Sequence, residues 1–204
     1  MYNYARSDQQ IIEDAGITTH VVISEIQISG GAGASSQDFV ELYNPSNSGI
    51  NLNNWNLRKR NNSGNESSLV LIQEDKIIPA HGYFLWGNTD GDFANNIGAD
   101  VSNGNNISEN NSIALLNASD QIIDQVAWGS GTNQFTEGSV IPDNPGTNQN
   151  LERKARSTST VDSMSVGGID EFKGNSYDSN NNTADFILRA TSQPQNSSSP
   201  AEKP

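Results

Sequence analysis

From residue 21 onward the chain is a series of short apolar, β-branched runs, each halted after a few residues by Asn, Gly or Pro. Such runs bury one face of an extended strand, and their stops supply the turns that reverse it. Strands are predicted at residues 21–28 (VVISEIQI), 38–43 (DFVELY), 50–60 (INLNNWNLRKR), 68–72, 82–86, 112–116, 121–128 and 184–190. In residues 50–60 the apolar phase slips at Asn53-Asn54, where one extra residue suits a bulge. Asn117 to Asp120 is a short polar loop of the kind that closes a hairpin. Many short strands with hardly a helix point to an all-β sandwich or barrel. No repeat at a fixed period is visible, which excludes solenoids and propellers.

The polarity of the chain agrees with long loops. Charged residues are only 17% of it, so neutral Asn, Ser, Thr, Gln and Gly carry most of the polarity, and these favour turns. Residues 88–111 and 129–150 read as long polar surface loops. Residues 1–19 read as a flexible linker with a short helix over residues 10–15. Residues 193–204 (QPQNSSSPAEKP) read as a disordered Ser/Pro-rich tail. The domain proper is then expected over residues 20–192. The 3 Trp, 5 Tyr and 6 Phe suffice for one core.

Charge and cysteine content narrow the function. With 24 Asp and Glu against 11 Lys and Arg, the net charge is −13. Phosphate-backbone binding rests on clustered basic residues, so nucleic acid is not an expected partner, and the mutual repulsion predicts a monomer in isolation. The absence of Cys removes disulfides and thiolate chemistry. No apolar run approaches a membrane span. The first residues lack a basic start followed by an apolar stretch, so the protein is expected to be cytoplasmic or to have lost a leader.

Four sequence segments, taken jointly, resemble a known family. ISEIQI (23–28), DFVELYNPS (38–46), INLNNWNL (50–57) and IIPAHGYFLW (77–86) resemble a lamin tail domain. NSIALLNASDQIIDQVAWG (111–129) resembles the family's hairpin. NQNLERKA (148–155) and YDSNNNTADFILR (177–189) resemble C-terminal elements of its bacterial members. The resemblance implies an immunoglobulin-like β-sandwich, and in bacteria an accessory, non-catalytic module of a secreted or surface protein. A protein or surface-polymer partner is expected on that basis.

Each chemical candidate has a structural alternative. Glu25 and Glu41 fall on neighbouring predicted strands and could place two carboxylates on one sheet face, as glycoside hydrolysis requires; equally, each could pair with a donor or face water. His20 and His81 lack any zinc-site spacing, and no GxSxG elbow is present. The glycine-rich residues 30–33 precede a strand, not the helix a phosphate loop needs. Asp90 with Asp92, and Asp178 with Asn180, sit in Asp/Asn clusters that could offer oxygens to Ca²⁺, though neither fits an EF-hand; otherwise no cofactor is expected. Trp55, Trp86 and Trp128 could form a sugar-stacking platform or fill the core. Arg58, Lys59, Arg60, Arg153, Lys154 and Arg156 gather most of the positive charge into two runs. If adjacent in space, they would form a patch for an anionic group; if apart, they are solvated strand ends.

Overall fold

A computed structural model describes residues 18–204; residues 1–17, which include the expected 10–15 helix and nearly all of the expected linker, lie outside the described residues. Two sheets face each other across the core. The larger has six strands in the order β12-β11-β1-β2-β7-β8, and the smaller has four in the order β10-β9-β4-β5. The six-stranded sheet contains β1 (Val22–Gln27), β2 (Phe39–Tyr43), β7 (Tyr83–Asn88), β8 (Val101–Asn103), β11 (Asn150–Arg153) and β12 (Phe186–Arg189). The four-stranded sheet contains β4 (Asn56–Arg60), β5 (Glu66–Leu71), β9 (Ser112–Leu116) and β10 (Ile122–Ala127). All pairings are antiparallel except β7 with β8. A two-stranded piece, β3 (Ile50–Asn51) with β6 (Ile77–Ile78), closes one end.

The alternation within each strand decides which side chains enter the core. Ile23, Ile26, Val40, Leu42, Phe84, Trp86 and Leu151 of the larger sheet pack against Leu57, Leu69, Ile113, Leu115 and Val126 of the smaller. The residues between them point to the outer face of the larger sheet. That face is covered rather than solvated: Val22, Tyr43 and Tyr83 form a second buried cluster there.

Three expectations change. The phase slip at Asn53-Asn54 is a turn between sheets, with Asn54 at φ 62°, so residues 50–60 form two strands, not one bulged strand. Residues 88–111 hold a helical turn, the short helix α1 (Phe93–Asn96) and β8, and they bury Ala94 and Ile107. Their Asn side chains supply the local bonds a polar segment needs, as where Asn88 Nδ2 donates to Asn105 O. Residues 193–204, expected to be disordered, lie instead against the outer face, for the reasons given below. Two further short helices are α2 (Val161–Met164) and α3 (Asn182–Asp185), the latter leading directly into β12. Among the described residues, no helix is long and apolar enough to cross a membrane.

Candidate functional site

Glu25 is opposite Glu41 across β1–β2 and opposite Glu152 across β1–β11. A register irregularity between Ile23 and Glu25 turns Glu25 outward while Ile23 and Ile26 both face the core. Three carboxylates thus stand in a row on the outer face, and all three residues are buried. Like charges directly opposite each other are unfavourable. Burial, reinforced by the charges of Glu41 and Glu152, pushes Glu25 well above the usual carboxylate range. Burial also pushes Glu41 up to about 8 and raises Glu152, although Arg189 pairs with it. Ser24 Oγ donates to Glu41 at 2.6 Å, and Asn150 Nδ2 donates to Glu25.

Two segments roof this row. The loop over residues 159–175 approaches so closely that a Cβ on Gly174 would lie 2.0 Å from Tyr43 Oη. Residues 193–204 complete the cover. The backbone N–H of Gln193 donates to Glu25 at 3.1 Å, and that of Gln195 donates to Glu41 at 2.6 Å. Composition underestimated this segment because its order comes from hydrogen bonds to buried acceptors, not from apolar burial. The cavity left beneath the two segments is about 30 Å³, room for a water or two. Two carboxylates with raised proton affinity resemble an acid–base pair, as the sequence suggested, but no sugar ring fits between them.

The two basic runs do not merge. Arg58 and Arg60, on β4 of the smaller sheet, both pair with Glu66, at 2.5 and 3.0 Å, and Arg60 stacks on Phe135. Lys59 Nζ donates to Asn106 O. Arg153 lies on β11 of the other sheet and is fully buried, while Lys154 donates to Ala184 O at 2.7 Å and Arg156 pairs with Asp170. The anionic-group patch is therefore not formed. A buried guanidinium offers nothing to a surface ligand, and Arg153 points inward because β-strand alternation puts it there between Glu152 and Lys154.

Around Arg153 the fold gathers acids that sequence distance had hidden. Asp124, Asp178 and Asp185 lie 2.7, 3.7 and 3.9 Å from its guanidinium. Oxygens of Asp124, Glu137 and Asp178 lie within 4.8 Å of one another. Burial lifts Glu137 to about 8, with Asp124 and Asp178 adding to it. Burial also acts against ionisation of Asp178, but the His20 hydrogen bond and the Arg153 charge prevail and hold it down at about 2. The calcium candidate Asp178 is thus committed to His20, 3.3 Å away, and to Arg153. Asn180 N donates to Asp178 Oδ1 in a local turn. Asp90 and Asp92 are exposed on the helical turn before α1, where Asp92 accepts from Asn95.

Trp86 and Trp128 are core residues, 1% and 0% exposed, and Trp55 packs against the same core, so no three-tryptophan platform exists. Sequence reasoning passed over a different surface. Val166, Ile169 and Phe172 in the 159–175 loop are 80%, 79% and 74% exposed. The loop's shape is set from within, since Asp170 accepts from Ser159 and Ser163 at 3.0 and 2.7 Å and Glu171 accepts from Gly167 N at 2.7 Å. Three large apolar side chains in seven loop residues were the signal available.

A family model described as Lamin Tail Domain matches residues 16–130. No curated protein matches the chain. The matched region carries β1 through β10 and both Glu25 and Glu41, while β11, β12 and the covering segments lie beyond it.

Proposed function

The chain belongs to the lamin tail domain family, with its immunoglobulin-like β-sandwich, and from that premise we propose that it is a non-catalytic binding or assembly module of an exported or cell-surface bacterial protein. The observation that carries the binding role is the shaped loop presenting Val166, Ile169 and Phe172 to solvent. Grouped exposed apolar side chains mark contact sites, and these three, within seven residues of one loop, are more exposed than any other large hydrophobic side chain among the described residues. Its partner is a protein or surface polymer with an apolar face, since the net charge of −13 disfavours nucleic acid. The cavity over Glu25 and Glu41, about 30 Å³, supports the absence of catalysis, because it has no room for a sugar ring or comparable substrate while the covering segments are in place.

Two measurements test this reading. The immobilised 204-residue chain is expected to retain surface proteins or wall polymers at least tenfold better than an Ile169→Ser/Phe172→Ser variant. Equal retention by the two, or none by either, would show that the loop is not the binding surface. Phosphoester, ester and glycoside substrates should be turned over only at background rates. Turnover abolished by Glu25→Gln or Glu41→Gln would replace the binding module with a carboxylate hydrolase.

A further inference from the structure

We propose that residues 193–204 are a releasable latch over the outer face of β2, β1 and β11, closed in mildly acidic solution and lifting as the glutamates beneath it ionise. The proposal is independent of the role of the apolar loop, and its test leaves that loop untouched.

The latch is held almost entirely by polar contacts. Its sequence, QPQNSSSPAEKP, offers no large apolar side chain to anchor it. Near its start, Gln193 and Gln195 donate alternate backbone N–H groups to Glu25 and Glu41, while Pro194 between them has none to donate. In the middle, Ser197 donates from N and Oγ to Asp100. Near its end, Glu202 accepts from Tyr83 Oη at 2.8 Å and from Gln195 Nε2 at 3.0 Å, and its N–H donates to His81 O at 2.8 Å. Tyr43 Oη donates to the Glu202 carbonyl, and Gly174 N donates to Lys203 O at 3.1 Å.

Closure brings a fourth carboxylate, Glu202, to a face that already holds Glu25, Glu41 and Glu152. From the loop side Asp170, Glu171 and Lys173 also line the cavity. The positive charges are few: Arg189 is bonded to Glu152, Arg156 to Asp170, and Lys173 stands at the lining. Hydrogen bonds from Gln193 and Gln195 favour ionised acceptors, but burial beside like charges outweighs them. Closure adds burial to Glu25 and Glu41, and the charge of Glu202 to the latter, so both bind protons more tightly closed than open, and Glu41 stands at about 8 in the closed state. A group raised in this way supports closure fully below its open-state value and loses that support as pH rises through its closed-state value. The latch should consequently loosen as pH rises toward about 8, the value of Glu41 in the closed state, its opening constant rising by up to about tenfold per pH unit for each proton released. Opening uncovers three glutamates beside the Tyr43–Tyr83 ring pair, whose centroids are 5.0 Å apart.

The test is amide hydrogen exchange on the 204-residue chain from pH 5.5 to 8.5, corrected for the intrinsic pH dependence of exchange. Protection of the Gln193 and Gln195 amides should fall at least tenfold, while Val40 and Leu42 in β2 stay protected throughout. In a Glu25→Gln/Glu41→Gln variant, whose amides still accept hydrogen bonds but do not ionise, the fall should disappear. Should near-UV circular dichroism show that variant unfolded, Glu202→Gln serves instead and should reduce the slope. Flat protection in the wild type overturns the latch, as does a tail that loses protection only together with β2. A pH dependence unchanged in the folded Gln variant also overturns it.

Discussion

Arg153 Nη2 lies 2.7 Å from Asp124 Oδ2, with both side chains fully buried, so that β11 of one sheet is tied to β10 of the other. The pair also serves the backbone of β1 where its register shifts. Ile23 N donates to Asp124 at 2.6 Å, and Ile23 O accepts from Arg153 Nε at 2.8 Å. Cross-strand pairing between β1 and β11 covers only Glu25 to Gln27, so this ion pair stands in for the missing rung.

Arg153→Ala should therefore destabilise the fold by about 3–5 kcal/mol, the usual cost of leaving a buried charge without its partner. Urea denaturation measures it. Removing Asp124 as well, in Arg153→Ala/Asp124→Ala, should cost less than the sum of the two single changes. Additive losses would show that the pair does not act as a unit.

The other basic run should respond very differently. Arg58→Ala and Arg60→Ala break half-exposed pairs with Glu66, which are worth about 0.2–1 kcal/mol each. Neither change should shift the denaturation midpoint much. A loss comparable to that of Arg153→Ala would mean that the two runs share a structural role after all.

Trp128 is fully buried, and its Nε1 donates to Ser108 O at 3.0 Å. Trp128→Ala should cost about 3–5 kcal/mol through lost packing and cavity formation. Trp55, at the margin of the same core, should cost less. Equal losses would place Trp55 deeper than its exposure indicates.

Conformational stability should be greater at pH 5.5 than at pH 8.5. Burial raises Glu41 and Glu137 to about 8 and Asp38 to about 7. Raised groups contribute fully below their unfolded values and lose that contribution as pH climbs through the folded ones. Each such proton adds up to about 1.4 kcal/mol per pH unit to the slope. Asp178 acts oppositely, but only as pH falls from its ordinary value of 3.8 toward about 2. In Asp38→Asn the urea midpoint should depend less on pH; an unchanged profile would exclude Asp38 as a contributor.

Millimolar Ca²⁺ should leave the melting temperature unchanged. The carboxylates of Asp124 and Asp178, which are close enough to share an ion, are already served by Arg153. A site filled at 100 times its dissociation constant would add about 2.7 kcal/mol, so a chelator-reversible rise would be plain in a thermal melt.

The strands were legible because alternation is a local property. Ile26 and Ile28, Val40 and Leu42, and Ile113 and Leu115 declare a buried face within a few residues of sequence. That same alternation allowed Glu25 and Glu41 to be placed on one face. The identity of Glu152 as their third neighbour was not legible, since β11 reaches β1 from more than a hundred positions away and nothing local sets that pairing. Residues 193–204 misled for a related reason. Low hydrophobicity reports the absence of apolar anchoring, but it is silent about distant acceptors such as Glu41 and Asp100.

The sequence by itself determined the sandwich, the family, the acidic character and the location of its turns, because periodicity, turn chemistry and net charge are sums over near neighbours. Only the tertiary structure decided which charges are solvated and which are sealed. Arg58 and Arg153 are the same residue type in similar basic runs, yet one stands at the surface and the other lies buried among acids. The difference comes from which face of which sheet each strand presents, and that is settled when the two sheets pack.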